Sequence, residues 1–153
     1  MLLFILLAYL VSLSFASPSR LTPETPQIFE NVIIFTPPSN WSSHSTSYAR
    51  TLVLNQENTN DSILLTTWSF SPPGQPYTPI YESTDGGLSW IEAGKVYFEA
   101  ASSPGATILQ PFLYELPIDI GSYPAGTILV VGNAIPANFN STNIQLYASL
   151  DQG

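Results

Sequence analysis

The chain has 153 residues, 44% of them hydrophobic, and a formal net charge of −8 at pH 7. With Arg20, Arg50 and Lys95 as its only cations, it has almost nothing from which to build a phosphate-binding surface, and nucleic acid is excluded as a partner. Cysteine is absent and histidine occurs once, so a disulfide framework and a zinc site are both excluded and no cofactor is called for.

Residues 1–16 are almost wholly apolar and end in Ser14-Phe15-Ala16, which sets small residues where a signal peptidase reads. The alternative is a membrane anchor, but the run falls short of the roughly 20 residues of a bilayer span. A secreted, extracellular protein with no membrane association after cleavage near Ala16 is expected. Residues 17–30 carry Pro18, Pro23 and Pro26 and read as an extended lead-in. Sequons at Asn40, Asn60 and Asn140 lie in polar, turn-like contexts behind the signal and mark a glycoprotein.

From Asn31 onward short β-branched and aromatic runs are separated by Pro, Gly and Asn/Asp clusters, and no helix is predicted. Strands are expected at Asn31–Phe35, Ala49–Asn55, Ser62–Phe70, Tyr77–Ser83 and Trp90–Phe98. Between the last two stands Ser83-Thr84-Asp85-Gly86-Gly87-Leu88-Ser89-Trp90, a Ser-x-Asp-x-Gly-x-x-Trp turn. Asp85 is suited to accept turn amides, Gly86 and Gly87 to take positive φ, and Trp90 to fold beneath the loop. The pattern begins again at Ser149, Asp151 and Gly153, with its Asp 66 residues on (151 minus 85). The apolar runs keep step: Ser62–Trp68 matches Gly126–Gly132, and Ile80–Asp85 matches Gln145–Asp151. A repeated meander of this length predicts an all-β fold, a β-propeller, with residues 31–153 forming one complete blade and a second that stops short. A sandwich is the alternative, but it does not require the same turn motif in successive meanders. Such a piece is expected to expose a large apolar sheet face.

The turn motif resembles the Asp-box, or bacterial neuraminidase repeat, of the sialidase superfamily. Tyr48–Leu52, Pro79–Gly87, Gln110–Pro117 and Pro124–Leu129 further resemble secreted fungal proteins of the family 93 glycoside hydrolases. The resemblance implies a six-bladed propeller, monomeric at full length, acting as an exo-1,5-α-L-arabinanase on a polysaccharide or oligosaccharide. It also implies retention of configuration through a carboxylate nucleophile and a carboxyl acid/base, both expected beyond this chain; no residue here matches either role. The chain departs from the family between Val96 and Leu109, where an aromatic, arginine-containing approach is replaced by Glu99–Thr107. A non-catalytic carbohydrate-binding protein is the alternative function.

Three residues are candidates for binding substrate. Arg50 stands in the apolar run Tyr48–Leu54, and a strand guanidinium calls for a partner: a sugar hydroxyl at a channel mouth, or an ion pair with Glu82 or Glu115. Glu115 is a candidate near the axis, with solvation or ion pairing as the alternative. Trp68 is either a sugar-stacking platform or core, while Tyr81 and Trp90 are read as core. His44 lies in a polar loop and is read as solvated. Ser83, Asp85, Gly87, Trp90, Ser149, Asp151 and Gly153 are read as structural, at the blade end away from a catalytic face.

Overall fold

A computed structural model of the chain describes residues 31–41, 46–54 and 63–150. The signal segment, the lead-in, His44, Asn60, Asp151 and Gly153 lie outside these residues. Among the described residues seven strands form two antiparallel meanders. Sheet A comprises β1 (Thr46–Val53), β2 (Leu64–Phe70), β3 (Thr78–Ser83) and β4 (Ile91–Val96), and sheet B comprises β5 (Thr107–Glu115), β6 (Ile128–Ile135) and β7 (Asn143–Ser149).

The sheets pack face to face as successive propeller blades. Their shared core draws Leu54, Leu65 and Ile80 from sheet A and Ile108, Leu113 and Val130 from sheet B. Period-2 alternation is clear in β6, where Ile128, Val130, Gly132 and Ala134 are buried and the residues between them are less so. It is hidden in β2, which is buried on both faces from Leu65 to Phe70.

Two expectations are corrected. Asn31–Phe35 is not a strand: it runs without ladder partners and places Phe35 against Trp68, Phe70 and Tyr81. Its β-branched residues supply propensity, but a strand needs a neighbour to bond, and none reaches this segment among the described residues. The described residues also include a helical turn, a 3-10 turn at Glu99–Ala101. It sits in the link between sheets, where Phe98, fully buried, is driven into the core and Ala101 follows it. The link is fastened to β7 by Glu99 N–H donating to the Tyr147 hydroxyl at 2.9 Å and Ala100 N–H donating to Gln145 Oε1 at 3.0 Å.

Phe98 and Gly132 form the tightest fit in this core. A Cβ on Gly132 would stand 3.1 Å from Phe98 Cζ and 3.2 Å from Cε1, so glycine makes room for the ring. Gly132→Ala is expected to lower stability by about 1–3 kcal/mol, the usual cost of overpacking, measured as a reduced urea midpoint at unchanged slope.

Candidate functional site: the inner strands and the upper groove

β1 and β5 are the first strands of their meanders and lie against each other. Each carries an irregularity at the same place. In β1 the register slips between Ser47 and Arg50, and in β5 between Leu109 and Phe112, so each strand holds one residue more than its partner. The residue opening each bulge has left-handed backbone without being glycine: Tyr48 at φ 56° and Gln110 at φ 54°. Such a backbone is costly for an L-residue and persists where its surroundings hold it.

At Gln110 the holding groups are visible. Its N–H donates to Ser69 Oγ of sheet A at 2.9 Å, and its side-chain Oε1 accepts from Asn133 Nδ2 at 3.2 Å. In the first repeat Thr66 Oγ1 donates to the carbonyl of Arg50 at 2.9 Å, just past the bulge. Each bulge also switches the parity of its strand, so that Ile108 before it and Leu113 after it both face sheet A. The result is a pair of kinked inner strands that present Tyr48, Arg50, Gln110, Phe112 and Tyr114 as exposed side chains.

Arg50 is exposed, on the sheet-B side of β1 opposite Thr67, and its guanidinium Nη1 donates to Ala49 O at 3.1 Å. Glu115 closes β5 opposite Ile128, at the lower end of the sheet and partly buried. Trp68 is only 6% exposed, with its ring held among Phe35, Phe70 and Tyr81 on the other face of sheet A. The three candidates therefore occupy a strand edge, a strand end and an aromatic core. Tyr81 is half-buried in the Trp68 cluster; Trp90 is half-buried as well, against the turn instead of deep in the core. Tyr48, Gln110 and Asn133 were not legible as site residues, because a bulge leaves no mark in the hydrophobic pattern beyond one slipped parity.

The upper end of the sheets, where β1 and β5 begin, carries a groove. One part, about 60 Å³, is lined by residues including Ser47, Ser69 and Thr107. The adjoining part, about 270 Å³, lies between Ser71–Gly74 and Gly105–Thr107. Hydroxyls beside a proline-rich wall suit a neutral, hydroxyl-bearing ligand better than an ion. Among the described residues no three His, Cys, Asp or Glu side chains gather into a metal site. Asn140 and Asn40 are exposed, and Asn140 N–H donates to Asn138 Oδ1 at 3.1 Å.

The Asp85 turn occupies the opposite end. Ser89 N–H and Ser83 Oγ–H donate to Asp85 Oδ1 at 2.9 and 2.8 Å, and Ser89 Oγ–H donates to Oδ2. Gly87 N–H donates to Ser83 Oγ at 2.8 Å, and Trp90 Nε1–H donates to Gly87 O at 3.0 Å. Gly87, at φ 98°, leaves its α-carbon open to Leu64 and Trp90. These donors, led by the Ser89 hydroxyl, hold the Asp85 carboxyl down at about 2. A general acid needs the opposite shift, and both Asp85 carboxylate oxygens are taken up by donors of the turn itself. Ser149 ends β7 at the place that Ser83 holds in β3.

No family model matches the chain, and neither does any curated protein. Solved structures do. The family 93 α-L-arabinofuranosidase of Fusarium graminearum, seen with arabinobiose and with an iminosugar inhibitor, is 41% identical at a TM-score of 0.69. The match covers 82% of this chain and 33% of that one. The chain resembles the family 93 glycoside hydrolases. The α-L-arabinanase of Penicillium chrysogenum, complexed with arabinobiose, is 40% identical at the same TM-score, over 84% of this chain and 35% of its own. The chain thus spans about a third of either family 93 enzyme, and its two sheets are part of a propeller.

The depressed Asp85 carboxyl gives the turn a definite pH dependence. Its ionised form is bonded only in the folded state, so its stabilisation is complete above the ordinary carboxylate range and is lost as pH falls from about 4 through about 2. Asp85→Asn is expected to lower the melting temperature by several degrees at pH 7, and the gap from the parent chain should close as pH approaches 2 in thermal melts followed by circular dichroism.

Proposed function

We propose that the chain forms scaffold and ligand-contacting strands of a secreted, retaining glycoside hydrolase acting on arabinan, and that it does not turn over substrate by itself. The observation that carries this reading is the 40–41% identity, over more than four-fifths of the chain, to enzymes solved with arabinobiose bound. The inner strands offer what a neutral pentose oligomer needs: a guanidinium at Arg50, an amide at Gln110 and aromatic faces at Tyr48 and Phe112. Retaining hydrolysis needs two carboxyl groups roughly 5 Å apart across the scissile bond, one of them held protonated. Among the described residues the Asp85 carboxyl is pushed the other way and committed to its turn.

The purified chain should release no sugar from linear arabinan; measurable turnover would overturn the division of labour proposed. It should bind arabinobiose by calorimetry or NMR titration. Arg50→Ala should weaken that binding about tenfold or more, the effect of removing one charged hydrogen bond. Equal affinity in the variant would remove Arg50 from the site. Export is checked separately, by appearance of the chain in culture medium with a mass that falls on deglycosylation.

A further inference from the structure

The groove at the upper end has its walls and floor in sheets A and B and in the link between them. Its two ends differ. The narrow part, about 60 Å³, is bounded by Ser47 and Leu109, each the residue before one that opens a bulge, so it adjoins Tyr48 and Gln110 of the candidate site. The wide part, about 270 Å³, leads away from the inner strands between the β2–β3 connection and the end of the link.

Both walls are built on proline and glycine. Ser103-Pro104-Gly105-Ala106 is closed by Ala106 N–H donating to Ser103 O at 3.1 Å, with Gly105 at φ 83°. Proline second and glycine third are what a type II turn favours. Ala137 of the β6–β7 connection buttresses this turn, its Cβ lying 3.6 Å from where a Cβ on Gly105 would stand. The facing wall reads Ser71-Pro72-Pro73-Gly74, with Gly74 at φ 91°. Proline fixes φ, so the groove is formed before a ligand arrives and little order has to be gained on binding.

The floor is polar. Leu65, Thr67 and Ser69 alternate along the face of β2 that meets sheet B, and Thr78 and Ile80 share the corresponding face of β3. Ser69 Oγ accepts from Gln110 N–H at 2.9 Å and keeps a proton to donate. Thr67 and Thr78 are fully buried, and among the described residues their hydroxyls have no hydrogen-bond partner. Continuing the β2–β3 register sets Thr78 level with Ser69, which lines the narrow part. Buried hydroxyls are ordinarily paired, and a space of this size suits a water or two of roughly 30 Å³ each. Hydroxyls of a sugar bound above would extend that chain of donors and acceptors. Among the described residues neither part is lined by a charged side chain, so the groove favours neither anion nor cation, while Phe70 and the prolines offer apolar faces to a sugar ring.

We propose that the upper groove is an outlying sugar subsite, taking the units of an arabinan chain beyond those held at Tyr48, Arg50, Gln110 and Phe112. The ligand class rests on the proposed function; the position of the subsite and its preference for a longer, neutral oligomer rest on the groove itself. The groove makes the chain a reader of oligomer length. A short oligomer is held at the inner strands alone, and further units gain contacts with Ser71–Gly74 and Gly105–Thr107.

In calorimetric titrations the purified chain should bind linear arabinopentaose about tenfold more tightly than arabinobiose, the gain expected of one or two added hydrogen bonds. In NMR titrations the amide resonances of Gly74 and Gly105 should shift with the pentaose and stay in place with arabinobiose. Ser71 is exposed, so Ser71→Trp fills the wide part while keeping the fold, as circular dichroism checks. This variant should bring the pentaose affinity down to that for arabinobiose, whereas Arg50→Ala should weaken both ligands. Equal affinities in the parent chain, or a pentaose that leaves Gly74 and Gly105 unmoved, would overturn the subsite and leave the inner-strand reading in place. An advantage for the pentaose that survives Ser71→Trp would also overturn the subsite alone, and binding of neither ligand would overturn both.

Discussion

The packing of Phe98 between the two sheets is the interaction on which the remaining structure depends. A phenyl ring in a link between meanders has nowhere to go unless the second sheet leaves it a place, and Gly132 provides that place at the centre of β6. Once the ring is seated, the link is short of freedom. Tyr147 and Gln145 bind its amides, Ala101 and Ala106 fill the space beside it, and β5 is delivered against β1 and β2. The relation between the blades is therefore set by a link residue, while the strands supply the area that makes the arrangement stable.

Much of this architecture was legible in the chain. Runs of β-branched residues placed β2, β3, β6 and β7 closely, because each strand is continuous and has polar or glycine punctuation at its ends. The turn at Ser83–Trp90 was legible for a local reason: its hydrogen bonds join residues within four positions of one another. What lay hidden was non-local. The sequence of residues 31–35 has the composition of a strand, and what keeps it from being one is the absence of a neighbour among the described residues. From sequence Trp68 reads equally as platform or core, because nothing in β2 says that Phe35 closes over it. The bulges at Tyr48 and Gln110 were invisible because their support comes from Thr66, Ser69 and Asn133 on other strands.

The proposed function draws the same division between scaffold and chemistry. Sugar recognition tolerates being spread over several elements, since each hydroxyl requires one donor or acceptor in the right place. Acid/base chemistry does not, since two carboxyl groups must share a scissile bond within a few ångströms. The kinked inner strands meet the first requirement with a guanidinium, an amide and aromatic faces. Under the proposed function, this portion of a ring carries part of the binding surface and leaves the reaction to other segments.

The offset between matching residues grows along the repeat, from 62 at the bulges (110 minus 48) to 66 at the turn serines (149 minus 83). The strands themselves stay in register, so the added residues are absorbed entirely in connections at the ends of the sheets. Those ends contribute little to the contact between blades, which lies along the strands and the Phe98 link. Loops at the rim are consequently free to lengthen or shorten without altering the radius of the ring, and new ligand contacts can be tried there while the geometry of the central channel is preserved.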